Sequence, residues 1–201
     1  MGRGTATLAR IAEALQAESR WAGARLPALW FLTDEARTPD PAAVAAVLPP
    51  GTGIILRHYA HPGREGLARE LAARAEARGL RLVVAADVGL ARLVGAAGVH
   101  LPRWAAPIRP PTDLWLTAAA HSAADFARRR GADAYFVGPV FETASHPEGN
   151  VLGPARLASL ARLAPAPVIA LGGITAGNAR RLAGTGVAGL AAIGALLPGA
   201  G

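Results

Sequence analysis

Two glycine-bearing strand ends and one histidine supply the chemistry this sequence offers. Val168-Ile169-Ala170-Leu171-Gly172-Gly173-Ile174-Thr175 is an apolar strand that ends in paired glycines at a helix start, and Gly189-Leu190-Ala191-Ala192-Ile193-Gly194 repeats the arrangement at the next strand. Unpaired backbone amides at such a turn face an anion, the helix dipole favours negative charge, and glycine lets the anion come close. Two such turns on consecutive strands make a phosphate site; the plainer role of the same glycines is tight turning. His121 follows Leu116-Thr117-Ala118-Ala119-Ala120, which places it at the carboxyl end of a strand. An imidazole there titrates near neutral pH and exchanges a proton with a ligand, whereas a histidine before Ser122 also serves to cap a helix or bond a carbonyl.

A third strand end carries more polar groups. Ala134 to Val137 is a short apolar run of the kind covered on both faces, Gly138-Pro139 ends it, and Glu142-Thr143-Ala144-Ser145-His146 then follows. In parallel α/β folds, ligands bind at carboxyl ends of strands. His100 sits inside Gly98-Val99-His100-Leu101, where it either ties the rim together or touches ligand, and His58, His61 and His146 fall in loops. No spacing among the five histidines makes a metal site, and no carboxylate pair is placed for one, so no metal and no cofactor is expected.

Composition narrows the function classes. Lysine is absent and all 21 basic residues are arginine, which excludes Schiff-base chemistry. Cysteine is absent too, which removes disulfides, thiolate metal sites and cysteine nucleophiles. The +7 net charge comes from arginines scattered over alanine-rich helices without interleaved exposed aromatics. That pattern reads as solvated helix faces with affinity for small phosphorylated anions, and no nucleic-acid partner is expected. No apolar run approaches the ~20 residues that span a bilayer, and Met1 to Glu18 lacks the apolar centre of a signal peptide. The expectation is a cytoplasmic protein with no membrane partner.

Positioning these groups requires a regular alternation of elements, and the sequence has one. After an alanine-rich helix at Thr5–Glu18, strands are expected at Ala28–Thr33, Gly53–Arg57, Arg81–Ala85, Gly98–Leu101, Leu114–Ala118, Ala134–Val137, Val168–Leu171 and Gly189–Ile193. The clearest helices between them are Gly63–Arg78, Ser122–Arg130, Pro154–Leu163 and Thr175–Ala183, with Pro154 suited to a first helical turn. Eight parallel strands with crossover helices in one domain, 1–201, give a short (β/α)₈ TIM barrel; a doubly wound open sheet is the alternative. Four prolines between Leu101 and Asp113 leave a loop rather than a helix after the fourth strand. Gly201 comes soon after the last strand, so the last helix is expected to be truncated, leaving an apolar gap. The N-terminal helix, with Leu8, Ile11, Ala12 and Leu15 on one stripe, either folds over that gap or meets a second copy in a homodimer.

The glycine turns, Trp30-Phe31-Leu32-Thr33-Asp34, Val94-Gly95-Ala96-Ala97-Gly98-Val99-His100-Leu101 and Gly172-Gly173-Ile174 resemble the thiamine phosphate synthase family in order and spacing over most of the chain. The resemblance implies a (β/α)₈ barrel that joins a pyrimidine diphosphate to a thiazole phosphate with release of pyrophosphate. A second, TenI-type branch includes thiazole tautomerases, which move a proton on a thiazole carboxylate phosphate. Where the synthase motif after the second strand reads Gln-Leu-Arg-Glu-Lys, this chain has Ile55-Leu56-Arg57-His58-Tyr59 and keeps only Arg57 among its diphosphate-binding side chains. The usual Asn-Asp after the third strand falls on Ala85-Ala86, the aspartate after the fourth falls near Ala105, and the serine before the histidine falls on Ala119. The resemblance leaves the thiazole half: Gly172, Gly173, Ile193 and Gly194 for the phosphate, Thr143 and Ser145 beside the ring, and His121 as the proton shuttle of the tautomerase pattern.

The leading expectation is therefore a metal-independent thiazole tautomerase with His121 as acid and base and a thiazole phosphate as partner. A synthase with a degenerate diphosphate site and a non-catalytic barrel that binds a phosphorylated ligand stand as alternatives. Arginines arriving from elsewhere, with Arg57, Arg64 and Arg103 as candidates, offer a way to clamp an anion without magnesium.

Overall fold

The computed structural model describes residues 2–143 and 151–199. Eight parallel strands close into a barrel in the order β1 to β8: Leu29–Leu32, Gly53–Leu56, Arg81–Ala85, Gly98–Leu101, Trp115–Ala120, Ala134–Val137, Val168–Leu171 and Gly189–Ala192. Closure through β1 and β8, with Leu29 opposite Leu190 and Phe31 opposite Ala192, leaves no free edge and rules out the open sheet. Six α-helices lie among the described residues: α1 (Arg3–Glu18), α2 (Pro41–Ala45), α3 (Arg64–Arg78), α4 (Val88–Leu93), α5 (Ala123–Arg128) and α6 (Gly153–Leu163). None of the helices described is long and apolar enough to cross a membrane.

Alternation along the strands divides the apolar residues into two cores. Trp30, Leu32, Ile55, Val83, Ala134, Phe136, Ile169 and Ala191 fill the barrel, while their neighbours such as Phe31, Leu56, Val84, Tyr135 and Leu190 face the helices. Large and small residues interlock inside. A Cβ on Gly53 would fall on the indole of Trp30, whose Nε1 donates to the Pro27 carbonyl at 2.6 Å, and Phe136 meets both Trp30 and His100 edge-on at 5.2 Å. This packed interior seals the barrel from below, so ligand chemistry belongs to the carboxyl ends of the strands.

Strand positions follow the expected ones, with β5 displaced toward Ala120. The short helices α2 and α4 were not among the clear helical signals. Their signal is a capping aspartate: Asp40 accepts from the Ala43 amide at 2.8 Å ahead of Pro41, and Asp87 accepts from the Leu90 amide at 2.8 Å. The helix expected at Thr175–Ala183 does not form. Asn178 accepts from the Thr175 amide at 2.9 Å and donates to the Gly173 carbonyl at 2.8 Å, so its side chain ties off the turn and only Ala179–Leu182 coils, as a 3₁₀ turn. The segment 102–113 is a loop, as its prolines require.

After β8 the described chain makes only a 3₁₀ turn, Gly194–Leu196. Helix α1 covers that side of the barrel, touching β1, β8 and both 3₁₀ turns, with Leu8, Ala12 and Leu15 buried. A helix that precedes the first strand thus fills the place that short 3₁₀ segments leave open.

Candidate functional site

The mouth is built from strand ends that glycines allow to crowd together. Gly172 and Gly173 have φ of 99° and 65°, and a Cβ on either would strike backbone of the β6 loop, at Pro139 Cα and at the Glu142 and Phe141 carbonyl oxygens respectively. The loop is stitched to this turn: the Val140 amide donates to the Leu171 carbonyl at 2.9 Å and the Phe141 amide to the Gly172 carbonyl at 3.0 Å. Within the described residues, the amides of Gly173 and Ile174 after β7, and of Gly194 and Ala195 after β8, make no bond to the chain. Four unspent donors on adjacent strand ends are suited to phosphate oxygens. Ile193 is half-buried between them, and a Cβ on Gly194 would meet only open space.

Across the mouth, His121 directly follows β5 and is half-buried. The inner-face alternation of β5, marked by Trp115 and by Thr117 bonded to His100, reaches the rim at Ala119 and His121. Asp125 fixes the backbone there. Its Oδ2 accepts from the His121 amide at 2.9 Å, the Ser122 amide at 3.1 Å and the Ser122 hydroxyl at 3.0 Å, while Ser122 caps α5 in a reciprocal capping box. Burial opposes ionisation of Asp125, but these donors outweigh it and hold the carboxyl below its ordinary range. The clamp acts on backbone, leaving the His121 ring free of that contact.

The β2–β4 side is different. Arg57 reaches the Asp34 carboxylate at 3.0 Å, which Arg37 also contacts at 2.9 Å. Hydrogen bonding from Arg37, helped by the charge of Arg57, overcomes burial and lowers Asp34 to about 2. Arg64, at the start of α3, donates to the Ala85 carbonyl at 2.5 Å and pairs with Asp87 at 3.4 Å. Ala85, Ala86 and Ala105 offer no ligating side chain, and the carboxylates of Asp34 and Asp87 are engaged by arginines, that of Asp87 also by helix capping. Among the described residues no group of three or more His, Asp or Glu side chains is placed to hold a metal ion.

The sequence profile described as thiamine monophosphate synthase matches residues 29–196, from the first residue of β1 to the turn after β8. The chain belongs to that family. Among its relatives, the bifunctional thiamine biosynthesis protein ThiM/ThiE of Symbiobacterium thermophilum is 33% identical over 180 residues, which is 84% of this chain and 37% of that longer protein. The thiamine-phosphate synthase of Thiobacillus denitrificans is 37% identical over 141 residues, 66% of this chain and 67% of the relative. The thiamine phosphate pyrophosphorylase of Pyrococcus furiosus superposes with a TM-score of 0.72 at 28% identity, covering 85% of this chain and 86% of that one. The thiamine monophosphate synthase family is therefore evident in sequence and in shape alike.

The structure brings Gly172, Gly173, Ile193 and Gly194 together, with Thr143 half-buried on the neighbouring β6 loop and His121 on the rim of β5. Arg57 stands apart from them just past β2, held by Asp34. Ser145 and His146 lie outside the described residues. Glu142 is exposed. His100 is a buried interior group rather than a rim group: its Nδ1 is 3.0 Å from the Thr117 hydroxyl, and burial pushes its pKa down to about 3. His58 is likewise buried, 2.9 Å from the Thr33 hydroxyl.

Proposed function

We propose that this protein acts in thiamine biosynthesis on a thiazole phosphate, anchoring the phosphate on the β7 and β8 turns and moving a ring proton through His121 without a metal ion. The observation behind this reading is the division of the mouth. One half has unspent amides after β7 and β8 and a histidine at the rim of β5; the other has Ala85, Ala86 and Ala105 where the family pattern has polar and carboxylate groups. His121 takes a proton from one ring position as base and returns it to another as acid, so the enzyme is unchanged after a turnover. Phosphate anchoring confines the ring close to the imidazole, which converts proton transfer into an intramolecular event.

The names of the relatives favour a second reading, in which the chain joins a pyrimidine diphosphate to the thiazole phosphate and releases pyrophosphate. The rim cations Arg57 and Arg64 support it, since guanidinium groups clamp phosphoryl oxygens directly. One experiment separates the two. The chain is given a thiazole carboxylate phosphate in deuterated water, with and without pyrimidine diphosphate and magnesium, and both ring deuteration and pyrophosphate release are followed. Deuteration without the diphosphate supports proton transfer. Pyrophosphate release with no independent deuteration replaces it with the coupling reaction. Under the first reading, His121→Asn lowers the exchange rate by ~10²-fold or more with thiazole affinity retained. An undiminished rate removes His121 from the chemistry.

A further inference from the structure

Helix α1 carries two stripes. Leu8, Ala12 and Leu15 face the barrel and are buried, whereas Thr7, Ile11, Ala14 and Glu18 recur at steps of four, three and four residues along the adjoining side of the helix. That spacing is the one by which a helix presents a seam to a second helix. The element beside it in this chain is only a 3₁₀ turn, Ala179–Leu182, where the sequence predicted a helix. Between that turn and α1 lies an open groove of about 450 Å³. Ile11, Ala14, Leu15 and Ala183 give it an apolar lining, and Arg10, Glu18 and Arg180 supply charge.

The charges on α1 are arranged symmetrically about one small residue. Arg10 and Glu18 lie four residues to either side of Ala14, all three are exposed, and neither charged group has an ion pair or hydrogen bond among the described residues. Positions four residues away from them hold Ala6, Ala14 and Ala22, so the chain offers neither one an i,i+4 partner. Glu13, three residues from Arg10, makes no bond to it. On α3, by contrast, Arg69 pairs with Glu65 and Arg74 with Glu70. The charges along the groove are the ones left unspent.

Turning a second α1 end over end about an axis through Ala14 sets Arg10 opposite Glu18 of the partner subunit, and Glu18 opposite the partner's Arg10. Ala14 then meets its own copy, and so small a side chain lets two helices approach closely. A purely anionic ligand would suit Arg10 and Arg180 but would place like charge against Glu18. A second copy of the helix brings both signs in the required order.

We propose that α1 is a homodimer interface, in which two copies pair antiparallel along Thr7, Ile11, Ala14 and Glu18, with Ala14 on the two-fold axis and reciprocal Arg10–Glu18 ion pairs to either side. This face is distinct from the Leu8, Ala12 and Leu15 stripe that the barrel buries, and the interface stands whichever reaction the barrel mouth performs. Exposed ion pairs contribute little strength, so their part is to fix direction and register. Helix α1 has 16 residues and is about 24 Å long at ~1.5 Å per residue, which makes a small interface and a dissociation constant on the order of micromolar.

The test is sedimentation of the full chain at low ionic strength, over a concentration series that passes through the micromolar range. A monomer–dimer equilibrium is expected. Arg10→Glu and Glu18→Arg each set like charges across the axis, and each is expected to weaken self-association by about tenfold or more. Mixed in equal amounts, the two variants should pair with one another, because the two reversals complement each other across the axis. A helix that had merely been destabilised would show no such recovery. Ala14→Trp places a bulky group on the axis and should abolish the dimer, with the cooperative melt retained because position 14 is exposed. A monomer at every concentration overturns the interface. So does a dimer that both charge reversals leave unchanged, or a mixture that stays monomeric after each variant alone has dissociated. Neither result bears on thiazole deuteration, so the proposed reaction and this interface fail separately.

Discussion

Gly173 shows how a single residue serves two purposes. Its φ of 65° lies where side chains are strained, and an added Cβ would fall 2.7 Å from the Phe141 carbonyl oxygen and against that of Glu142. The glycine is thus needed first for the β6 loop to close on the β7 turn. A bulkier residue acts through that loop, in addition to any direct contact with phosphate. Gly173→Ala is expected to destabilise the fold by about 2 kcal/mol, from unfavourable φ and a backbone clash, and to weaken phosphate binding as well. Urea unfolding together with phosphate titration checks both effects; normal stability with weakened phosphate binding would restore a purely local role.

His100 sets a pH dependence at the same scale. Burial, with smaller contributions from Arg57 and Arg129, holds its pKa at about 3, against 6.5 for the free side chain. Between those values the unfolded chain binds a proton that the folded chain refuses, so acid favours unfolding. Stability from this residue is complete above pH 6.5 and is lost as pH falls toward 3. His58, lowered by burial, acts in the same direction, and Asp34 adds a loss below its free value of 3.8. Thermal unfolding across that range is expected to show a falling midpoint, with a shallower slope in His100→Gln. An unchanged slope in that variant would assign the acid sensitivity elsewhere.

At the scale of elements, α1 is the piece that completes the barrel wall. Leu8 and Ala12 are fully buried and Leu15 nearly so, over β1, β8 and the 3₁₀ turns. Replacing Leu8 by Ala should cost about 2–4 kcal/mol, because the cavity left on β-strand surface cannot collapse. A chain beginning at Ser19 should bind a dye for exposed apolar surface or aggregate. A soluble, cooperatively melting product from that truncation would show that the helix is dispensable. The stripe on α1 is used within the chain, so a homodimer proposed for this protein has to use another face. Light scattering of the full chain decides whether one forms.

At the scale of the whole molecule, closure of the sheet places groups far apart in sequence around one opening. His121, the loop at Thr143 and the turns at Gly172 and Gly194 occupy β5, β6, β7 and β8 in order, while Tyr59, Arg64 and Trp104 gather over β3. The division into a half with unspent backbone amides and a half with aromatic and guanidinium side chains is a property of this circle. It does not follow from any one motif.

Strand positions, the barrel and the β7–β8 glycine turns were legible in the sequence because they depend on local apolar runs and on dihedrals that glycine permits. Short helices such as α2 and α4 carried too few residues for a periodic signal, and their capping aspartates were the better guide. The failed helix at Thr175–Ala183 turned on one side chain, Asn178, which competes with backbone for hydrogen bonds. The sequence alone determined which chemical groups stand at strand ends, since strand length and alternation are short-range properties. Only the tertiary structure decided that His100 turns inward to Thr117, that Arg57 is held by Asp34, and that Tyr59 and Trp104 meet across β3. Those contacts join residues separated by 17 to 45 positions, and closure of the barrel is what brings them within reach.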